Sequence, residues 1–283
     1  MLIVRYSGAG NSFLVIDGRN GDAGRFTRPD VVHALCLIHG ADGLMVMEKS
    51  ECADFRMLFF NPDGSCGMFC GNGGRCIVAF ADYLGVKPFH TRDYVFEAPD
   101  GLHRAEILSH LGECKVVRLE MRDVPEVRKM RAGGCEGLFA DTGARHFVVR
   151  VPDVESVDVA AEGSRLRCDQ AFAPEGTNVD FVSLDPDGTL RIRTFEKGVE
   201  GETLACGTGV TAAALCSAAE EGAIPVGEGA FDAGETDDSG RKRIRRTVRT
   251  REDTLEVDFL RTASGFTSIR LTGPTLFEGE LDV

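Results

Sequence analysis

No stretch of the sequence reaches the roughly 18 consecutive apolar residues that a membrane-crossing helix needs, so a membrane partner is not expected. The first residues, "MLIVRYSGAGNSF", show only three consecutive strongly apolar side chains after Met1 and lack signal-peptide architecture. The expected location is therefore cytoplasmic. An excess of positive charge is missing as well: the net charge is −13 and the isoelectric point is near 5.0. Nucleic acid binding needs a basic footprint for the phosphates, so the expected partner is a small molecule and no nucleic acid. Neither a full dinucleotide-binding fingerprint nor a P-loop occurs. Cys66, Cys70 and Cys76 lack the paired spacing of a structural zinc site, so no metal is expected. In a reducing cytosol all ten cysteines should be free, each a small buried apolar residue unless its setting argues otherwise. That ordinary role is expected for Cys36, Cys52, Cys76, Cys114, Cys135, Cys168 and Cys216.

What the chain does have is a repeat. Gly8 with "AGNSFLV" answers Gly143 with "ARHFVV", and "ADGLMVM" from Ala41 answers "NVDFVSL" from Asn178. "RMLFFN" from Arg56 answers "RIRTFE" from Arg191, and Cys70 answers Cys206. The offsets are 135, 137, 135 and 136 positions, which indicates a duplicated lobe. In each lobe short β-rich runs separated by Gly, Asp, Asn and Pro turns predict strands. After each Cys-Gly-polar-Gly comes a single helical stretch, "GRCIVAFADYLGV" or "GVTAAALCSAAEEGA", with Gly85 and Gly222 suited to the C-terminal caps. Both stretches are apolar on most faces and so predict central helices wrapped by sheet. The expected class is α/β of the α+β type: two pseudo-symmetric lobes, each a mixed sheet around a central helix. The expected division is residues 1–124 plus 270–283 for the N-terminal lobe and 125–269 for the C-terminal lobe. The closing segment "LTGPTLFEGELDV" reads as a strand returning to complete a sheet. Residues 228–238 hold five acidic side chains and 241–251 seven basic ones. They read as a solvated hairpin of mutually neutralising arms, with a nucleic-acid or targeting tract as the less favoured alternative.

The chemistry concentrates at "CGNGGRC", residues 70–76, and "CGTGVTAAALC", residues 206–216. A helix start offers unpaired N–H groups and the positive end of the helix dipole, which favour a thiolate placed there. Flanking glycines let a bound anion approach the backbone closely. Two such starts facing one carboxylate suit inversion at a carbon acid. One thiolate removes the α-proton from one face, and the opposing thiol delivers a proton to the other, while the donors hold the developing charge. His146, set against Asn11 and Ser12 by the repeat, is read either as a turn histidine or as a site residue.

"GAGNSF", "FNPDGSCGMFCGNGGRC", "TGARHFVV", "GTNVDF" and "TFEKGVEGETLACGTG" together resemble the successive signatures of the diaminopimelate epimerase family, in order and spacing over nearly the whole chain. The resemblance implies two α/β lobes with a site in the cleft between them and no cofactor. It also implies interconversion of LL- and meso-diaminopimelate for lysine and peptidoglycan synthesis. Carried over by position, it makes Cys70 and Cys206 the acid/base pair. Gly71, Asn72, Gly207 and Thr208 would donate N–H groups to the reacting carboxylate, and Asn11 would line the site. Asn61, Asn178, Glu196 and Lys197 would hold the distal amino acid end, with His146 and Arg145 supporting. Homodimerisation is left open. Three departures bear on substrate. Lys197 replaces the usual Arg, Ala144 and Arg145 replace Asn-Pro, and Gly43 replaces a Gln found in some members. Arg145 is then a candidate to supply the planar fork that Lys197 lacks. The alternatives are a racemase of the same fold acting on another amino acid such as histidine, a pyridoxal-phosphate racemase, and a non-enzymatic small-molecule or metal-binding protein.

Overall fold

Apolar runs broken by glycine-rich turns fold into strands around two buried helices. The computed structural model describes residues 2–67, 69–89, 92–220, 232–236 and 242–281. Its first elements are β1 (Ile3–Gly8), β2 (Asn11–Asp17), α1 (Pro29–His39), β3 (Gly43–Glu48), β4 (Phe55–Phe60), α2 (Gly71–Tyr83), β5 (Tyr94–Ala98), β6 (Gly101–Leu111) and β7 (Cys114–Glu120). These are followed by β8 (Val127–Ala132), β9 (Cys135–Asp141), β10 (Arg145–Arg150), α3 (Val159–Arg167), β11 (Asn178–Leu184), β12 (Leu190–Glu196), β13 (Gly201–Thr203) and α4 (Gly207–Glu220). The last are β14 (Asp232–Thr236), β15 (Lys242–Arg249), β16 (Thr254–Thr262) and β17 (Gly265–Leu281). The chain divides into two compact units, Met1–Glu120 with Thr272–Val283, and Met121–Leu271.

In the first unit the strand pairings run β17 to β1, β1 to β2, and so on in order to β7, which pairs back onto β17. The ring is closed, and α2 lies against β1, β2, β3, β6 and β7. Every residue of α2 from Gly71 to Ala81 is buried. Complete burial of Ile77, Val78 and Phe80 contributes roughly 5 to 9 kcal/mol before the entropic cost of ordering them. Val86 N–H closes the helix onto Ala81 O at 2.9 Å, with Gly85 at φ +73° supplying the left-handed turn. Outside the ring, α1 buries Val32, Leu35 and Cys36 against Leu14, Ile16, Leu44 and Val46. Gly8 stands opposite Asn11, leaving a two-residue turn in which Ala9 and Gly10 both have positive φ. That tight hairpin fixes where Asn11 begins its strand.

The second unit repeats the same succession of pairings. β1–β2 antiparallel, β2–β3 parallel across α1, and β3–β4 antiparallel before α2 become β9–β10 antiparallel, β10–β11 parallel across α3, and β11–β12 antiparallel before α4. The parallel pair β4–β5 returns as β12–β15, and β5–β6 as β15–β16. α4 touches β8 to β12, β15 and β16, and its residues Gly209 to Cys216 are buried. Gly222, expected to cap it, lies outside the described residues.

Two expectations need correction. Leu44 stands opposite Phe60 and Val179 opposite Phe195, so β3 and β11 match at 135 positions, not 137. A two-residue slip preserves the alternation of faces and is invisible to a pattern of period two. The hairpin at residues 232–249 does form, but several basic residues find their partners elsewhere. Arg243, Arg245, Arg249 and Arg251 pair with Asp258, Glu256, Asp185 and Glu202. Arg246 is almost fully buried and donates to Ser217 Oγ on α4. The acidic side chains of 228–238 lie outside what is described.

Candidate active site

Cys70 is the N-cap of α2, and Gly74 N–H bonds to its carbonyl at 2.7 Å. Cys206 holds the same place before α4, where Val210 N–H bonds to its carbonyl at 2.8 Å. Both side chains are half-buried. In each helix the first-turn N–H groups, those of Gly71 and Asn72 or of Gly207 and Thr208, have no carbonyl one turn behind them within the helix.

In the first unit these groups join a polar chain. Asn72 is buried, its Nδ2 donates to Asn11 Oδ1 at 2.8 Å, and its Oδ1 accepts from the fully buried Arg75 at 2.9 Å. Asn11 Nδ2 reaches Asp42 Oδ2 at 3.3 Å, and the same oxygen accepts Ser12 N–H at 2.8 Å. Asn61 stands apart, at the turn after β4, with its Nδ2 on Ser65 Oγ at 2.9 Å. Asp42 and Arg75 were missed in the sequence, though Arg75 sits inside the quoted "GNGGRC".

The second unit brings together more of the expected residues. His146 lies within β10, fully buried, and is not a turn histidine. Its Nδ1 faces Asp180 Oδ2 at 2.7 Å, and its Nε2 faces Thr208 Oγ1 at 2.9 Å. Thr208 Oγ1 in turn lies 3.3 Å from Cys206 Sγ. Asn178 Nδ2 donates to Arg145 O at 2.9 Å, and Asn178 Oδ1 accepts Lys197 N–H at 2.8 Å. Asp180 is completely buried and also accepts from Thr194 Oγ1 at 2.7 Å. It was missed, although a carboxylate inside the otherwise apolar run "NVDFV" is itself a signal.

Charge follows this geometry. Burial opposes protonation of the His146 ring, but the Asp180 carboxylate overrides it and pushes the imidazole pKa up to about 10. Burial pushes the Glu196 carboxyl above the usual carboxylate range, offset in part by Thr203 and His146. Burial raises the thiols of Cys36, to about 11, and of Cys76 and Cys216, which are fully enclosed. Those three are inert packing residues. The expectation of burial fails at Cys52 and Cys168, which are exposed, and at the half-buried Cys114 and Cys135. Cys52 follows Ser50 in a loop and Cys168 caps α3, positions where no sheet covers them. Cys66 is exposed, and among the described residues no group of three or more His, Cys, Asp or Glu is arranged to hold a metal.

Residues 3–121 and 138–228 match the family described as diaminopimelate epimerase. The chain belongs to the diaminopimelate epimerase family. It is 46% identical over 215 residues to the diaminopimelate epimerase of Chlorobaculum tepidum, covering 75% of this chain and 81% of that one. It is 34% identical over 288 residues to that of Flavobacterium psychrophilum, covering all of both chains. Membership makes it an enzyme of the isomerase class. Among solved structures it resembles a PhzF-family phenazine biosynthesis protein from Bacillus anthracis, with a TM-score of 0.72 and 14% identity over 100% of this chain and 98% of that one. It also resembles a hydroxyproline epimerase from Agrobacterium vitis, with a TM-score of 0.66 and 17% identity over 100% and 90% of the two chains. At these identities the likeness shows the fold alone, a sheet-dominated α+β fold in two lobes. No helix among the described residues is long and apolar enough to cross a membrane.

Against the diaminopimelate epimerase family pattern, the structure locates the unusual residues. The Arg145 guanidinium is paired with the Glu175 carboxylate and lies 5.4 Å from the Phe139 ring centroid. Lys197 Nζ donates to the Glu175 carbonyl at 3.1 Å. Glu175 therefore meets both cations, Arg145 through its carboxylate and Lys197 through its carbonyl. A cavity of about 480 Å³ in the second unit, lined by Lys129, Arg131, Glu136, Cys216 and Glu220 among others, contains none of the expected site residues.

Proposed function

We propose that this enzyme interconverts LL- and meso-diaminopimelate without a cofactor, in the synthesis of lysine and peptidoglycan, using Cys70 and Cys206 as the acid/base pair. The observation that carries this reading is the identical build of the two helix starts, each with a half-buried cysteine at its head. One thiolate takes the α-proton while the other thiol returns a proton to the opposite face. The first-turn N–H groups of Gly71, Asn72, Gly207 and Thr208 stabilise the charge that develops on the α-carboxylate. Asn178, Glu196, Lys197 and Asn61 bind the distal ammonium and carboxylate, with Asn11, His146 and Arg145 in support. Asn178 ties the backbone carbonyl of Arg145 to the backbone N–H of Lys197, which holds these three residues of the proposed distal clamp together. The enzyme works in the cytoplasm on a small amino acid.

The test is incubation with LL-diaminopimelate in deuterated water. Wild-type protein is expected to place deuterium on the α-carbon as the meso isomer accumulates, and Cys70→Ala and Cys206→Ala are each expected to abolish that conversion while remaining folded. Conversion near the wild-type rate in either variant overturns the two-thiol mechanism. Equal or faster turnover of histidine or another single-centre amino acid overturns the substrate assignment and leaves the thiol chemistry standing.

A further inference from the structure

We propose that Asp180 is a positioning residue for Cys206, acting through the His146 imidazole and the Thr208 hydroxyl. The inference rests on the reading of Cys206 as one of the two acid/base groups. Three contacts in series support it: Asp180 Oδ2 to His146 Nδ1 at 2.7 Å, His146 Nε2 to Thr208 Oγ1 at 2.9 Å, and Thr208 Oγ1 to Cys206 Sγ at 3.3 Å. Asp180 and His146 have no exposed surface, so solvent cannot substitute for either. The carboxylate is itself anchored by Thr194 at 2.7 Å. Gly209 completes the arrangement, because a Cβ there would lie 2.6 Å from Asp180 Oδ1 and 3.2 Å from His146 Cε1. Only a glycine in the first turn of α4 lets the helix head sit this close to the buried pair.

The series has two proton arrangements. With Cys206 as a thiol, S–H donates to Thr208 Oγ1, and the Thr208 O–H donates to Nε2 of a neutral imidazole whose Nδ1–H is held by Asp180. With Cys206 as a thiolate, Nε2–H donates to Thr208 Oγ1, and the Thr208 O–H donates to the sulfur. Passing from the first to the second moves one proton from Sγ to Oγ1 and one from Oγ1 to Nε2. The thiol loses a proton, the imidazole gains one, and Thr208 is unchanged, since a hydroxyl both donates and accepts. Asp180 favours the second arrangement by holding the charge of the imidazolium. The other titratable groups facing this series are Glu196 at the end of β12, whose carboxyl is raised by burial, and Cys216 in α4, whose thiol is kept protonated by burial. Neither supplies the negative charge that Asp180 brings to Nδ1.

The experiment is alkylation of the full-length enzyme with iodoacetamide across a pH series, with Cys206 and Cys70 followed separately by peptide mass spectrometry. In Asp180→Asn the half-maximal pH for Cys206 is expected to rise by about one unit or more, the scale on which a neighbouring charge acts, while the Cys70 profile stays in place. Thr208→Val, which removes the hydroxyl and keeps the backbone N–H, is expected to move the Cys206 profile in the same direction, and Thr208→Ser to restore it. An unmoved Cys206 profile in Thr208→Val, or equal movement of Cys70 and Cys206 in either variant, overturns the inference. If Asp180→Asn fails to fold, Thr208→Val against Thr208→Ser decides alone. Alkylation needs no substrate, so a wild-type protein that exchanges no deuterium into diaminopimelate refutes the proposed activity without touching this result.

Discussion

Replacing Gly209 by alanine tests whether the head of α4 must sit where it does. The new Cβ would stand 2.6 Å from Asp180 Oδ1, closer than a carbon and an oxygen approach without displacement. Asp180 cannot yield easily, because it is fully buried and held by both Thr194 and His146. The helix start must therefore move, by about 0.5 to 1 Å, carrying Cys206 and Thr208 with it. Misplacement of that size costs on the order of 10- to 100-fold in rate. Stability changes less, since overpacking costs about 1 to 3 kcal/mol and the gain in helix propensity of alanine over glycine returns about 1 kcal/mol. The net expectation is a loss of roughly 0 to 2 kcal/mol beside a much larger loss of kcat. Gly24→Ala is the control, because nothing lies within 4 Å of a Cβ at that position. Urea denaturation gives the stability and α-deuterium incorporation gives the rate. Full activity in Gly209→Ala would show that the site tolerates displacement of the helix head and would refute the reasoning.

Other perturbations probe separate parts of the molecule. Lys197→Arg should keep or improve kcat/KM for diaminopimelate, and Lys197→Met should lower it by at least about tenfold, the worth of one charged hydrogen bond, as steady-state kinetics would show. Asp258, almost fully buried, pairs with Arg243 and with Arg270 Nη2 at 2.6 Å, so Asp258→Asn should cost about 3 to 5 kcal/mol in chemical denaturation by leaving the buried Arg243 and the half-buried Arg270 uncompensated. The His146 pKa is raised by folding to about 10, so its contribution to stability is fully present below the unfolded value near 6.5 and is lost as pH rises through about 10. His146→Gln should flatten the fall in urea midpoint between pH 7 and 10, and parallel curves for the two proteins would contradict that.

The sequence carried the repeat and the helix starts because both rest on local signals. Gly85 reads as a cap because only glycine enters the left-handed region cheaply, and it does so at φ +73°. β4 and β12 read as strands because they are short β-rich runs bounded by turn residues. Asp180 was less legible: its partners lie on β10 and β12, at sequence separations of 34 and 14 for His146 and Thr194, and no local rule connects them. The basic run at 241–251 misled for the same reason. Its charges look solvated in one dimension, but Arg243 and Arg246 turn inward to groups on β16 and α4. Composition likewise predicts where a cysteine tends to be, and it cannot tell that Cys52 and Cys168 fall on uncovered loops and caps.

Duplication gave the two units one frame and two kinds of proton chemistry. The second residue of α2 is Asn72 and that of α4 is Thr208, and each is the hub of its unit's polar chain. Asn72 joins Asn11 to Arg75, a guanidinium that stays protonated throughout the working range of an enzyme. Its chain fixes the helix head and carries a permanent charge. Thr208 joins Cys206 to His146, an imidazole that can hold or release a proton, through a hydroxyl that can reverse its direction. Equivalent positions in the fold therefore place an amide tied to a fixed cation at the head of α2 and a hydroxyl tied to a titratable ring at the head of α4. On the proposed mechanism the two thiols exchange roles with the direction of the reaction, and on the Cys206 side the series through Thr208 to His146 offers the proton a path to another protein group. The two helix heads therefore differ in the side chains that hold them, within backbones that pair in the same order.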